Sequence, residues 1–226
     1  HTPLGGGTTP PPSPTPTPTP SPTPPPAGTT ITNLQARVSK GQTFLTFTEI
    51  VGTGITYNVY RSAQPITSLS GLTPIATLPD DSSTNRYTGQ NFVVCDLCQP
   101  LASNTGLLVW TTQASGNYYY AVTNSPSQTL TSGVNTTGPV AETFTDTPGA
   151  VLLGTTANVG GGGHTQYRYT AWEDYATWRQ NVWGYYGHRF DVFVPEAGYG
   201  MVPPHPLILR LHAAGTSEDQ IVERIA

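Results

Sequence analysis

Short runs of alternating apolar residues, separated by turn residues, fill positions 30–145 of the chain. In the first run, Leu34, Ala36 and Val38 alternate with polar residues, which is the period of a strand with one buried face. Gly41 marks a turn before the next run begins. Strands of about 5–8 residues with turns between them indicate a β-sandwich, so the sequence predicts a mainly β protein.

Three of these runs resemble strands of a fibronectin type III module. Leu45 and Phe47 come first, residues 57–61 read Tyr-Asn-Val-Tyr-Arg, and residues 118–122 read Tyr-Tyr-Tyr-Ala-Val. In that family a strand with a core Trp precedes a Tyr-x-Val-Tyr-Arg strand, and Phe47 stands here in place of that Trp. The resemblance implies an immunoglobulin-like β-sandwich over residues 30–145.

Alternation within residues 118–122 directs Tyr118, Tyr120 and Val122 towards the core and Tyr119 outwards. Outward aromatic rings can stack on sugars, and three side chains are candidates for such a platform: Tyr60, Trp110 and Tyr119. A sandwich with no other mark of binding is more often a spacer. The sequence therefore favours a spacer and keeps polysaccharide contact as the alternative.

Few charges and many turn residues characterise the chain. Of its 226 residues only 10% are charged, whereas 24 are Gly and 23 are Pro, and Lys40 is the single lysine. This composition is typical of a secreted, extracellular β-rich protein. The net charge of −4 provides no basic surface for nucleic acid. No apolar run reaches the ~18–20 residues of a membrane span.

The first 29 residues are predicted to be a disordered linker rich in Pro and Thr. Residues 8–26 alternate Pro with Thr and Ser, so they favour extended polyproline II at about 3.1 Å per residue. Such spacers resemble those between modules of secreted degradative enzymes, which implies a further module or an anchor upstream. A simple disordered tail is the alternative.

Residues 146–184 are predicted to be a Gly-rich and aromatic connector. A flexible link of residues 145–163 ends in four glycines. Five aromatic residues follow: Tyr167, Tyr169, Trp172, Tyr175 and Trp178. The first three have the spacing of strand residues, and the last three recur as on one face of a helical turn. They are expected to anchor the connector onto the next domain; an aromatic wall at an active-site entrance is the alternative.

Two further strands are predicted in the last segment, residues 185–226. Alternation of Phe190, Val192 and Val194 indicates a strand that stops at Pro195. Residues 207–211 form an almost continuous apolar run, typical of a strand that is buried on both faces.

The loop after the second strand reads His212-Ala-Ala-Gly215, and Thr216 or Ser217 can cap a helix behind it. These strands and this loop resemble the start of an α/β-hydrolase domain, as in secreted esterases, polyester depolymerases and related peptidases. The resemblance implies that the loop supplies backbone N–H groups to an oxyanion hole. Three residues are candidates for this role, with Ala214 preferred: Ala213, Ala214 and Gly215.

No Gly-x-Ser-x-Gly motif occurs in the chain. The resemblance implies that the serine nucleophile, its acid and the catalytic His follow Ala226, so this chain is expected to be the inactive front end of a secreted modular serine hydrolase. The full-length enzyme would cut an ester, polysaccharide ester or peptide and would need no cofactor. The alternative is a non-catalytic extracellular adhesion, polysaccharide-binding or spacer protein.

Cys95 and Cys98 are the only cysteines and form a Cys-x-x-Cys pair. Such a pair can be a redox motif, half of a zinc site or a local disulfide. No thioredoxin-like unit surrounds it, and no second pair of ligands with metal spacing exists. In a secreted chain the pattern favours a disulfide, and no metal site is predicted.

Overall fold

The computed structural model describes residues 30–52, 54–85, 89–125, 127–159, 164–172 and 187–195. The predicted linker, residues 1–29, lies outside these ranges. Residues 196–226 also lie outside them, including the second predicted strand, its loop and the helix cap. The statements below concern the described residues.

The described residues form ten β-strands and no helix. The strands are β1 (Thr32–Ser39), β2 (Gln42–Thr48), β3 (Thr56–Ser62), β4 (Ala76–Pro79), β5 (Thr105–Thr111), β6 (Gly116–Asn124), β7 (Thr136–Glu142), β8 (Val151–Val159), β9 (His164–Trp172) and β10 (Gly187–Pro195). This content confirms the prediction of a mainly β protein. Within the described ranges no helix is long and apolar enough to cross a membrane.

Two antiparallel sheets, with strand orders β1-β2-β5 and β4-β3-β6-β7, share one core. Side chains from both sheets form this core: Ile31, Leu34, Leu45, Phe47, Tyr57, Val59, Ala76, Leu78, Leu108, Tyr120 and Val122. Tyr118 packs against the same cluster, so the predicted inward direction of Tyr118, Tyr120 and Val122 is confirmed. A core enclosed by two sheets is the arrangement of a β-sandwich.

The ring of Phe47 fits into the core because a glycine lies opposite it on the neighbouring strand. Gly106 of β5 lies opposite Phe47 in the antiparallel register. A Cβ atom at Gly106 would lie only 2.1 Å from Cζ of Phe47, so the ring occupies the space that the missing side chain leaves. The packing of Phe47 therefore requires Gly106 as well as the alternation of β2.

The three-stranded sheet is buried on its outer face too. Phe44, Leu107 and Val109 point away from the sandwich core and form a second cluster with Val151 and Trp172. The prediction of a flexible link over residues 145–163 is therefore wrong for Val151–Val159, which form β8. The physical reason is that Val151 at the start of β8 reaches an apolar face that the sandwich leaves uncovered.

A third antiparallel sheet has the order β10-β9-β8 and includes residues on both sides of the predicted boundary at 184/185. The predicted strand that stops at Pro195 is confirmed as β10, and Tyr167, Tyr169 and Trp172 all lie in β9. Trp172 packs against the sandwich, with its ring 5.8 Å from that of Phe44, centroid to centroid. Trp172 therefore also anchors β9 to the sandwich, which the sequence did not predict, while Tyr169 of β9 stacks on Phe190 of β10. Tyr175 and Trp178 lie outside the described residues.

Candidate functional site

The residues predicted for an oxyanion hole, Ala213, Ala214 and Gly215, lie outside the described residues, and their role stays a prediction. Cys95 and Cys98 are joined as a disulfide in the structure, with their Cα atoms 5.4 Å apart. The functional groups that the described residues bring together are therefore those of the sandwich and of the third sheet.

A buried carboxylate, Glu142 at the end of β7, collects donors from three other strands. Its side chain is fully buried, and Nη2 of Arg61 on β3 lies 2.7 Å from its Oε2. Oγ1 of Thr43 on β2 donates to Oε1 at 3.1 Å, and the hydroxyl of Tyr120 on β6 donates to the same atom. The carboxylate thus ties both sheets together at one end of the core.

The guanidinium of Arg61 lies between aromatic rings at this end of the sandwich. Its Cζ is 3.3 Å from the ring centroid of Tyr118 and 5.6 Å from that of Trp110. Burial alone would lower the pKa of Arg61, but the hydrogen bond and the charge of Glu142 raise it. Burial also raises the pKa of Tyr120, and the hydrogen bond to Glu142 adds to that effect. Arg61 therefore stays charged and Tyr120 stays protonated near neutral pH.

Glu49 is a second buried acid, placed directly after β2. It is 5% exposed and accepts the backbone N–H groups of Asp81 at 3.2 Å and Ser82 at 3.4 Å. Burial raises the pKa of Glu49 to about 7, with smaller contributions in the same direction from the charges of Asp80 and Asp81. Glu49 therefore titrates close to neutral pH.

Replacing Glu49 with Gln is expected to flatten the pH dependence of stability. Because folding raises the pKa of Glu49 from 4.5 to about 7, its stabilising contribution is complete below its unfolded pKa and is lost as the pH rises through about 7. The parent protein should lose on the order of 1–3 kcal/mol of unfolding free energy over this range relative to the Gln variant. Urea denaturation at about pH 4.5 and about pH 8 measures the difference.

The exposed residue Asp146, changed to Asn, provides the control for this comparison. Its curve of stability against pH should run parallel to that of the parent. If the Glu49→Gln curve also runs parallel to the parent curve, the assignment of a pKa of about 7 to Glu49 is wrong.

The aromatic candidates for a sugar platform do not form one exposed surface. Tyr60 is only 3% exposed and belongs to a cluster with Ile66 and Ala121 on the outer face of the four-stranded sheet. The expectation that Tyr60 is exposed is wrong, because a loop carrying Ile66 covers this face. Trp110 and Tyr119 are half-buried.

One face of the third sheet packs against the sandwich through Val151 and Trp172, whereas the other face is more exposed. On the first face, Arg168 also pairs with Asp191 through two 3.0 Å contacts, and Nε2 of Gln166 donates to the same carboxylate. On the opposite face Phe190, Val192 and Val194 of β10 are 40%, 39% and 42% exposed. This sheet therefore presents a row of apolar side chains to its surroundings.

The sandwich and the third sheet meet at a polar junction around the single lysine. Nζ of Lys40, in the turn between β1 and β2, donates to Oδ1 of Asp96 at 2.8 Å and to the carbonyl of Ala150 at 2.7 Å. Asp96 also accepts the backbone N–H of Leu152 at 2.9 Å. These bonds from Lys40 and Leu152 lower the pKa of Asp96. A turn of the sandwich, the disulfide loop and the start of β8 therefore converge on one carboxylate.

Within the part of the chain that the structure describes, no three His, Cys, Asp or Glu side chains are grouped as metal ligands. The two buried acids described above instead bond to an arginine, a threonine, a tyrosine and backbone N–H groups. Comparison with protein-family models, with curated proteins and with solved structures finds no match to this chain.

Proposed function

We propose that this chain is the N-terminal part of a secreted modular serine hydrolase, in which a fibronectin III-like sandwich carries the start of an α/β-hydrolase sheet. Seven strands in two packed antiparallel sheets support the first part, because this is the architecture of the immunoglobulin-like sandwiches. The resemblance of residues 185–226 to secreted esterases, depolymerases and peptidases supports the second part.

The apolar row of β10 is the observation that carries the proposal. Phe190, Val192 and Val194 form it at the strand that precedes the hydrolase-like loop. An antiparallel sheet can turn one face to water, and that face usually carries polar residues, so a row of apolar side chains is expected where a further layer packs.

The chemistry follows from the resemblance. A serine after Ala226, activated by a His and an acid, would attack an ester or peptide carbonyl. Backbone N–H groups of the loop, with Ala214 as the preferred donor, would stabilise the negative oxygen of the tetrahedral intermediate. Loss of one such donor typically raises the barrier by about 2.7–4 kcal/mol.

The sandwich is proposed to serve as a platform for the hydrolase. Both of its outer faces are covered, one by Val151 and Trp172 and the other by the loop that carries Ile66. Covered faces leave little flat surface for a polysaccharide and favour a structural role.

The coding sequence beyond Ala226 tests the hydrolase proposal. We expect about 200–250 further codons, a usual domain length, with a Gly-x-Ser-x-Gly motif, a later acid and a late His. The full-length protein should then release the chromophore from a short-chain nitrophenyl ester, and replacing the motif serine with Ala should abolish this activity. A stop codon, or a continuation without a nucleophile, would overturn the proposal and favour the extracellular spacer or binding protein.

A further inference from the structure

We propose that the Cys95–Cys98 disulfide is a redox-sensitive clamp, which fixes the start of β8 to the turn between β1 and β2. The disulfide closes a turn in which the N–H of Cys98 bonds to the carbonyl of Cys95 at 3.2 Å. The two residues inside this turn, Asp96 and Leu97, contact the start of β8 in the third sheet. The inference rests on these contacts and does not depend on the proposed hydrolase activity.

Both residues of the turn bond to the same residue of β8. The N–H of Leu97 donates to the carbonyl of Leu152 at 2.8 Å, and Oδ1 of Asp96 accepts the N–H of Leu152 at 2.9 Å. The disulfide loop thus satisfies both backbone groups of Leu152, as a neighbouring strand would. Their alignment requires the backbone of the turn to stay in one conformation.

The backbone of Leu97 shows why this turn needs a covalent closure. Leu97 has φ of +57°, in the left-handed region that residues with a Cβ atom disfavour. Its side chain is 61% exposed, so packing contributes little to holding that conformation. The ring closed by the disulfide supplies the constraint, and an open ring would let Leu97 return to the preferred region and move its N–H away from Leu152.

The ion pair at the junction is too exposed to hold it alone. The side chains of Lys40 and Asp96 are 37% and 49% exposed. Exposed pairs stabilise proteins weakly because water and salt screen them. Lys40 and Asp96 therefore depend on the turn to keep the carboxylate in place.

Reduction of this disulfide has a plain chemical route. Cys95 and Cys98 are half-buried beside an exposed loop tip, so a dithiol in solution can reach them. A thiolate of that dithiol attacks one sulfur, the S–S bond breaks, and the second thiol resolves the mixed disulfide. Two electrons and two protons pass to the cysteines, and the dithiol leaves as its cyclic disulfide. Neither cysteine belongs to the sandwich core, so the sandwich should remain folded.

The single lysine makes a sharp reporter for the clamp. An amine-acylating reagent has one side-chain target in the whole chain, Nζ of Lys40, and this amine bonds to Asp96 and to the carbonyl of Ala150 at the junction. Replacing both cysteines with Ser opens the ring without adding a reductant. We expect Lys40 of this variant of the full chain to be acylated about tenfold faster than Lys40 of the oxidised parent, because the loss of two hydrogen bonds and a weak ion pair corresponds to about this factor.

Asp96→Ala supplies the matched variant for a double-mutant cycle. If the disulfide acts through the turn, opening it in the Asp96→Ala background should increase the rate of Lys40 acylation by only about threefold or less, since coupled residues are not additive. Amide hydrogen exchange gives the second readout. The amide of Leu152 should exchange faster in the serine variant, whereas the amides of Leu45 and Val122 in the sandwich core should keep their rates.

Two results would overturn the clamp. Equal rates of Lys40 acylation in the serine variant and the parent would show that the disulfide does not hold the junction. Faster exchange at Leu45 and Val122 together with Leu152 would show that the disulfide stabilises the whole sandwich and does not act locally. The parent treated with dithiothreitol should behave like the serine variant in both measurements, which excludes an effect of the serine side chains.

Discussion

Replacing Arg61 with Met is expected to lower the free energy of unfolding by about 3–5 kcal/mol, because a buried charge is then left without its partner. The side chain of Glu142 is fully buried and takes its charged hydrogen bond from Arg61. Thr43 and Tyr120 also donate to Glu142, but neither neutralises the carboxylate. Guanidinium denaturation near neutral pH measures the loss.

A second variant separates the missing charge from the missing side chain. Arg61→Met combined with Glu142→Gln removes both charges, so it should recover much of the loss, as expected when the unpaired carboxylate is the cause. The exposed Arg189 of β10, changed to Met, is the matched control and should shift stability by no more than about 0.5 kcal/mol. A loss below about 1 kcal/mol for Arg61→Met would contradict a buried, mutually dependent pair.

Replacing Trp172 with Ala is expected to cost about 3–5 kcal/mol, the usual range for deleting a large buried aromatic side chain. Trp172 is 8% exposed and makes edge contacts with the rings of Phe44 and Phe92. The cavity would lie between the sandwich and β9, so we expect the largest local loss of stability there. Denaturation reports the total, and faster amide exchange of Leu107 and Val109 beneath the ring locates it.

Trp172→Phe is the conservative control, because a smaller aromatic ring keeps part of the contact with Phe44 and Phe92. Its loss should be clearly smaller than that of the Ala variant. If Trp172→Ala leaves stability within about 0.5 kcal/mol of the parent, the third sheet does not rest on the sandwich through this residue.

The contacts between the sandwich and the third sheet indicate how rigidly the two are joined. Polar contacts at Lys40 and apolar contacts at Trp172 both join it to the third sheet. A spacer on a flexible link would have neither. A third sheet that is fixed to the sandwich at two places can be positioned by it, as the proposed role of the sandwich requires.

Local side-chain direction was readable from the sequence alone. Alternation placed Leu45, Phe47, Tyr120 and Val122 in the core, because successive residues of a strand point to opposite faces. A proline ended β10 where the sequence predicted, because Pro195 cannot donate to the ladder. The same alternation also indicates that Arg61 points inward, because it shares a face of β3 with Tyr57 and Val59. The mainly β class follows from such patterns.

Only the tertiary structure decided which residues pack against each face of a strand. The Arg61–Glu142 pair joins residues 81 positions apart, and no local pattern indicates that those two positions meet. Tyr60 and Phe44 both point out of the sandwich, yet both are buried, because remote segments cover them. Periodicity reports which way a side chain points relative to its own strand. What lies on that side depends on contacts between distant parts of the chain, and these arise only when the whole core packs.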